Sequence, residues 1–401
     1  MQITLSRNRV LLVIICGAFL LTLGMGIRQG LGLFLKPISL DLGFGREVFA
    51  FAIAVQNLMW GAASPFLGAL ADRYGPGRTV AVAGLGYVLG LVVMGHSAGP
   101  NELILGNFLI GFGLAGVTFG PVLGAVGRVV APERRSMALG ITSAGGSLGQ
   151  FAVVPISHTL LTAYGWSLAL VAIAAIAFIM VPLSAGLAGT ASPARARSQQ
   201  SLSAALGEAG RHRGFWLLNA GFFVCGFHVT FVSTHLPAFL ADRALPSWLG
   251  AASLSLIGLF NIFGTFLSGW AGGRYRKKYV LSLIYLARAF VFLSIMLAPL
   301  TETTVLMFAA ACGFLWLGTV PLTSGLVAQI FGSTYLSTLW GIVFFSHQVG
   351  AFFGAWLGGY AYDLTGSYDV MWLLSVLLGI ASALLHWPIA DRPMSRLAPA
   401  Q

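Results

Sequence analysis

The amino-acid sequence predicts an all-α membrane protein with twelve transmembrane helices in two six-helix pseudo-repeats. Three observations predict this fold class: the composition, the spacing of the apolar segments and an internal repeat. Of the 401 residues, 57% are hydrophobic and only 8% are charged, whereas soluble domains contain roughly a quarter charged residues. Such a composition is typical of a chain that is dissolved in lipid.

Twelve apolar segments are long enough to cross a bilayer, which takes about 20 mostly apolar residues. The first six are residues 11–35, 48–70, 78–94, 103–125, 137–160 and 167–187. The second six are residues 215–238, 249–271, 279–297, 305–327, 337–360 and 370–389. We therefore expect an N-terminal half (1–187), a cytoplasmic linker (188–213) and a C-terminal half (214–401).

An internal repeat supports the division into halves. The string GALADRY at 68–74 returns as GWAGGRY at 269–275, a shift of 201 residues. The same shift pairs two further sets of glycines, Gly149 with Gly350 and Gly165 with Gly366. Three matches at one shift, which is half the chain length, indicate the duplication of a six-helix unit.

The net charge of +11 reports topology. Of the 22 Lys and Arg residues, 17 lie in the N-terminus, the even-numbered loops and the C-terminus, three in odd-numbered loops and two inside helices. This asymmetry predicts a multi-pass protein of the inner (plasma) membrane with both termini in the cytoplasm. A lipid-headgroup or partner site is the alternative interpretation of the basic face. We expect no nucleic-acid partner, because no soluble basic stripe interleaved with aromatic residues is present.

The sequence contains no pattern typical of an enzyme or a metal site. Cys16, Cys225 and Cys312 lie inside apolar segments without paired spacing and without a neighbouring His or Cys cluster. No nucleophile with a base and an orienting partner can be assembled. We expect no metal, no cofactor and no catalytic residue, and we expect a monomer that contacts membrane lipid.

The string GALADRYGPGR at 68–78, between segments two and three, resembles the signature of the major facilitator superfamily. The resemblance implies two halves that rock against each other, with this loop as a conformational latch. Gly68 is expected to admit a neighbouring helix, and Asp72 to meet a helix N-terminus and Arg groups. Gly273 replaces the acid in the second copy, so we expect a weaker latch there. The predicted latch residues are Gly68, Asp72, Arg73, Gly75, Arg78, Arg134, Arg135 and Arg274.

The string ERRSMALGITSAGGSLGQ at 133–150 resembles the corresponding stretch of the monocarboxylate porter family, in particular a bacterial branch that includes oxalate/formate-type relatives. Its small residues are expected to pack helix five tightly against a helix of the other half. Two family signatures differ here. The acid-and-Trp signature of helix one reads GMGIRQG at 24–30, and the Asp and Arg of helix eight are replaced by Asn261 and Thr265.

Two arginines, Arg28 and Arg288, lie inside predicted spans. An Arg at mid-bilayer costs roughly 2.5–3.5 kcal/mol on insertion scales, so both should face protein or a water-filled cavity. The resemblance places Arg28 in a helix that lines the central cavity, where it predicts an anion site; a structural ion bridge or carbonyl clamp is the alternative. Arg288 lies in peripheral helix nine and is either structural or reaches the cavity, with Tyr285 and Asn261 as candidate neighbours.

All eleven carboxylates fall in loops or at helix ends, so the acidic relay of many proton-coupled pumps is not expected. A cavity with Arg and no acid favours anions. His228 and His347 are deep in their spans and titratable near physiological pH, which makes protons a further candidate ligand. A hydrogen bond to a neighbouring helix is the alternative role for each histidine. The predicted substrate-binding residues are Arg28, Gln29, Gln56, Asn57, Gln150, His228, Asn261, Arg288 and His347.

These residues and the resemblance together predict an alternating-access transporter of a small organic anion, such as a monocarboxylate or a related acid. A multidrug or amphiphile exporter of the same fold is the alternative, because an apolar, aromatic cavity would serve it without Arg28. A receptor or channel that does not transport is disfavoured, since a repeated latch has meaning for a rocking structure.

Overall fold

The structure is a computed structural model that describes residues 7–189, 201–332 and 334–394. The helices of the N-terminal half are α1 (Arg7–Gly30), α2 (Leu35–Leu42), α3 (Arg46–Tyr74), α4 (Pro76–Gly95), α5 (Pro100–Val117), α6 (Phe119–Val129), α7 (Pro132–Ala177) and α8 (Met180–Ser184). The later helices are α9 (Leu202–Arg211), α10 (Arg213–Asp242), α11 (Ser247–Arg274), α12 (Lys277–Leu297), α13 (Glu302–Phe314), α14 (Thr319–Phe331), α15 (Leu336–Thr365) and α16 (Asp369–His386).

Within these residues, eleven helical stretches are long and apolar enough to cross a membrane. One of them, Met137–Leu187, has 51 residues and is interrupted at Gly165, where φ is 73° and the backbone is not helical. This stretch therefore supplies spans five and six, and the predicted twelve-span fold is confirmed. Span one combines α1 and α2 through a 3₁₀ turn, Leu31–Phe34, and spans four and ten combine α5 with α6 and α13 with α14.

The predicted duplication is confirmed in the helix packing. A Cβ on Gly149 of span five would collide with the carbonyl oxygen of Thr22 in span one. A Cβ on Gly350 of span eleven would collide with the carbonyl oxygen of Phe223 in span seven. Both the glycines and their partners are 201 positions apart. In each half, therefore, equivalent helices cross with their backbones in contact at equivalent glycines.

Spans four and ten are both broken near their middle. Thr118, with φ −112° and ψ −142°, separates α5 from α6, and Leu315–Gly318 separate α13 from α14. Thr118 and Thr319, the first residue of α14, are again 201 positions apart. A break inside a span leaves backbone N–H and C=O groups without helical partners, and side chains satisfy several of them, as described below.

The expected role of the small residues in helix five is wrong in part. A Cβ on Gly145 or Gly149 would meet Ala18 or Thr22, which belong to span one of the same half. The close approach between halves uses a glycine of span eight instead: a Cβ on Gly258 would lie 2.8 Å from the side chain of Gln150. The reason is that span one packs against the face of span five that carries these glycines. That face is therefore not available to a helix of the other half.

The predicted linker contains a helix of its own, α9. The side chain of Ser201 caps it by accepting a hydrogen bond from the backbone N–H of Ala204, as expected for a serine at this position. Residues 190–200 of the predicted linker lie outside the described residues.

Candidate functional site

Arg28 lies in the last turn of α1 and is 7% exposed. Its Nη2 donates to Asn57 Oδ1 at 2.6 Å and its Nη1 to Gln29 Oε1 at 3.3 Å. The guanidinium carbon lies 5.1 Å from the centroid of the Trp60 ring, a cation–π distance. These partners are neutral, and Nε has none. Among the residues that the structure describes, no carboxylate therefore compensates the buried positive charge.

A row of amides extends from Arg28 into the other half. Gln29 Nε2 donates to Gln150 Oε1 at 3.3 Å, and Gln150 Nε2 donates to the carbonyl of Leu254 at 3.0 Å. Leu254 belongs to span eight, so the row joins spans one, five and eight. Asn57 is itself oriented by donation to the carbonyl of Ile53 at 2.7 Å.

A small cavity lies beside Arg28 at the junction of the two halves. Its volume is about 10 Å³, close to the room that one water molecule needs. The N-terminal half contributes Arg28, Leu31, Gly32, Ile53 and Gln56, and the C-terminal half contributes Thr230, Ser233 and Thr234. Both amide atoms of Gln56 and the Thr230 hydroxyl are buried without a hydrogen-bond partner. Buried polar atoms of this kind call for an explanation, and a polar ligand beside Arg28 supplies one.

Sequence reasoning missed Trp60 and the three hydroxyl residues of α10. Thr230, Ser233 and Thr234 have the spacing i, i+3 and i+4, which places them on one face of a helix. That spacing could have identified them as a polar stripe on one face of the span. Trp60 lies three residues after Asn57 and four after Gln56, so the same spacing rule could have added it to the predicted site.

Arg288 is fully buried and lies at the break in span ten. Its Nη2 donates to the carbonyl of Trp316 at 2.7 Å and also to the carbonyl of Leu315. Its Nη1 lies 3.7 Å from the sulfur of Cys225, and the predicted neighbour Tyr285 lies beneath the guanidinium at 5.2 Å. A cation that binds the carbonyls at the end of α13 is favourably placed in the helix dipole. Arg288 is not among the residues that line the Arg28 cavity.

Asn261 contacts the same break and not Arg288. Its Oδ1 accepts hydrogen bonds from the backbone N–H of Leu317 at 2.9 Å and from Thr265 Oγ1 at 3.1 Å. Its Nδ2 donates to Ser147 Oγ of span five at 2.7 Å. The Asn and Thr that replace the charged pair of the family thus form a neutral hydrogen-bonded bridge.

The two candidate histidines have different surroundings. His228 is fully buried within the C-terminal half, and its Nε2 lies 2.9 Å from the carbonyl oxygen of Ser375. The ring of His347 stacks on Phe344 at 5.9 Å, and Phe344 lies 5.4 Å from the ring of Trp60. His347 is therefore joined to Arg28 through two aromatic rings that cross between the halves, whereas His228 is not.

Among the described residues, Asp72 of the predicted latch forms an ion pair with Arg128. Arg128 Nη1 lies 3.0 Å from Asp72 Oδ1, and the Asp72 side chain is 63% exposed. Arg128, in the last turn of α6, was not among the predicted latch residues. The pair joins two elements of the N-terminal half, so its formation does not by itself connect the halves.

The remaining latch residues lie at the surface. The expected close helix contact at Gly68 is absent in this arrangement, because a Cβ there would have no heavy atom within 4 Å. Gly75 has φ of 91° at the end of α3, a conformation that favours glycine. The exposed arginines are Arg73, Arg78, Arg134, Arg135 and Arg274.

At the end of the bundle that carries the odd-numbered loops, which we call the predicted outer end, charged groups join the halves. Arg46 of α3 donates from Nη1 to Asp242 Oδ2 at 2.6 Å and from Nη2 to Oδ1 at 2.8 Å. Lys36 donates to the same carboxylate at 2.9 Å, and Tyr368 accepts from Arg46 at 3.0 Å. This bidentate, partly buried network closes the predicted outer end.

Comparison with known proteins agrees with this architecture. The family model of the Major Facilitator Superfamily matches residues 14–355. Monocarboxylate transporter 13 of Rattus norvegicus is 28% identical over 337 residues, which cover 82% of this chain and 76% of the relative. The oxalate:formate antiporter of Oxalobacter formigenes is 22% identical over 390 residues, covering 96% and 93%. The resemblance to monocarboxylate porters is confirmed.

Solved structures share the fold. A bacterial homologue of the human lysosomal transporter Spinster, in an inward-facing and occupied conformation, gives a TM-score of 0.75 at 14% identity and covers 97% of this chain and 100% of its own. A D-xylose-proton symporter gives 0.74 at 14% identity and covers 96% and 99%. With the duplicated twelve-span bundle and the family match, the conclusion is direct: the chain belongs to the Major Facilitator Superfamily, a family of membrane transporters.

Proposed function

We propose that this protein is an alternating-access secondary transporter of a small organic anion, a monocarboxylate or a related carboxylic acid. The observation that carries the proposal is Arg28, a buried cation with neutral partners beside a cavity that both halves line. A group at this junction contacts both halves in one state and separates from one of them in the other. Alternating access requires a site of that kind.

The chemistry of the cavity favours a carboxylate. A guanidinium offers two parallel N–H donors that can form a bidentate pair of hydrogen bonds with a carboxylate. The hydroxyls of Thr230, Ser233 and Thr234 and the amide of Gln56 can donate to further oxygens of the ligand. Leu31 and Ile53 line the same cavity and provide apolar contact for a short carbon chain.

The relatives support the same substrate class. Among the curated relatives, several are named as monocarboxylate transporters and one as an oxalate:formate antiporter. With the topology predicted from charge, both termini are cytoplasmic, and the end closed by the Arg46–Asp242 network faces the opposite side of the membrane.

The test is transport by purified protein in liposomes with a panel of radiolabelled carboxylic acids. Arg28→Ala should abolish uptake, because hydrogen bonds to a charged group contribute about 1.5–3 kcal/mol, and Arg28→Lys should rescue only partly. Arg211→Ala, which changes an exposed arginine of α9, is the matched control and should transport normally. Wild-type transport rates in Arg28→Ala would place the anion site elsewhere. Efflux of amphiphilic dyes at the same rate with and without Arg28 would favour the exporter.

A further inference from the structure

The break in span ten is anchored at three successive residues. Arg288 of span nine donates to the carbonyls of Leu315 and Trp316. Asn261 of span eight accepts from the backbone N–H of Leu317 at 2.9 Å. The break is therefore a defined structure, because side chains satisfy the backbone groups that an interrupted helix leaves free.

One of these anchors also contacts the other half. The amide of Asn261 uses its oxygen for Leu317 in span ten and its nitrogen for Ser147 Oγ in span five, at 2.7 Å. The amide plane is rigid, so its two hydrogen bonds are geometrically dependent. If Ser147 moves away, the Asn261 amide loses one of the contacts that orient its oxygen toward Leu317, while the contact with Thr265 Oγ1 at 3.1 Å remains.

The packing around span eight leaves little room to absorb such a movement. A Cβ on Gly264 would collide with the carbonyl oxygen of Phe314, the last residue of α13. A Cβ on Gly318 would collide with the side chain of Ser268, and a Cβ on Gly258 would lie 2.8 Å from the side chain of Gln150 in the other half. Span eight thus lies directly against the break on one side and against span five on the other. Close-packed elements of this kind tend to shift between discrete arrangements.

We propose that Asn261 is a positioning residue that transmits the movement of span five, in one half, to the break in span ten, in the other. The inference rests on the proposed alternating-access mechanism. When Ser147 departs, the hydrogen bond between Asn261 and Leu317 weakens while Arg288 still holds the end of α13, so α14 swings more readily about the break. Thr319, the first residue of α14, lies 3.2 Å from Cys225 of α10, the helix that also carries Thr230 of the cavity. A movement of the break can therefore be transmitted to the Arg28 site through span seven.

Hydrogen–deuterium exchange of the full-length protein in nanodiscs reads the Leu317 amide directly. Ser147→Ala removes a hydroxyl from the N-terminal half, yet it should speed exchange at 315–318 in the C-terminal half by about fivefold, the effect of one ordinary hydrogen bond. The matched control is Thr142→Ala, because the Thr142 hydroxyl bonds within its own helix, to the carbonyl of Ala138 at 2.9 Å. Neither variant should change exchange at Thr118, the equivalent break.

A double variant tests whether the two contacts act in series. Asn261→Ala should speed exchange at 315–318 at least as much as Ser147→Ala, and adding Ser147→Ala to it should have no further effect. In transport, Ser147→Ala should change kcat while KM stays within about twofold. Unchanged exchange at Leu317 in Ser147→Ala, or an additive double variant, would overturn the inference. Hydrogen–deuterium exchange is measured without substrate. A negative result in the Arg28 transport test would therefore not change the interpretation of the exchange experiment.

Discussion

Asp363, near the end of α15 in the C-terminal half, caps the first turn of the helix that begins at Arg46 in the N-terminal half. Its Oδ1 accepts from the backbone N–H of Arg46 at 2.9 Å, and its Oδ2 from that of Glu47 at 2.8 Å. The residue at the cap position of that helix, Gly45, has no capping side chain. A Cβ on Gly45 would collide with the Asp363 carboxylate. Each opening of the predicted outer end must break this cap.

Asp363→Ala should therefore shift the protein toward opening at the predicted outer end. Loss of a helix cap costs about 1 kcal/mol, which is roughly fivefold in the equilibrium. The measurement is labelling of Ser39→Cys, a buried position of α2, by a membrane-impermeant maleimide, which should become faster. Asp369→Asn is the control, because Asp369 pairs with Arg243 of the same half. If labelling is equally fast with and without Asp363, the cap does not contribute to closure.

Asp72→Asn should bias the conformational cycle and leave substrate affinity within a few-fold. The Asp72 carboxylate contacts Arg128 and not the Arg28 cavity, so it acts on the equilibrium between states and not on binding. Arg128→Gln removes the partner and should give the same phenotype. Cysteine accessibility from the cytoplasmic side together with turnover measures the effect; unchanged values of both would refute the latch assignment.

Arg288→Gln should lower the unfolding temperature and leave anion affinity intact. The guanidinium serves the carbonyls of Leu315 and Trp316 in the protein core, and its removal leaves both without this donor, at a cost of about 1–3 kcal/mol each. Arg28→Ala should show the opposite pattern, with affinity lost and stability nearly unchanged. Thermal unfolding and ligand binding on the same preparations separate the two. Weaker binding without destabilisation in Arg288→Gln would return this residue to the substrate site.

His347→Gln should remove part of the pH dependence of anion affinity. A proton on His347 would add positive charge to a ring that is joined to Arg28 through Phe344 and Trp60, so the protonated protein should bind an anion more tightly than the neutral one. Glutamine remains polar and does not titrate. A pH series of binding to purified protein measures this, with His228→Gln as the control. Identical pH dependence in His347→Gln and wild type would make His347 structural.

Much of this architecture follows from the sequence. The length of each apolar segment sets the number of spans, because crossing the hydrocarbon core needs a fixed number of helical residues. The shift of 201 residues predicted the duplication, and one predicted pair of glycines, Gly165 and Gly366, has positive φ at both positions. Arg28 was identified as inward-facing because an Arg in lipid is too costly. These inferences depend only on the local sequence and on the apolar lipid that surrounds the spans.

The partners of these residues were decided only by the tertiary structure. The periodicity of the sequence shows which face of a span is polar, but not which of the eleven other spans lies against that face. Asp72 meets Arg128, 56 positions away, and Asp363 meets Arg46, 317 positions away. Arg288 and Asn261 looked like cavity residues in the sequence, yet the packing of spans eight, nine and ten directs both to one helix break. A buried polar side chain bonds whichever backbone group the packing leaves free, and only the assembled bundle determines which groups those are.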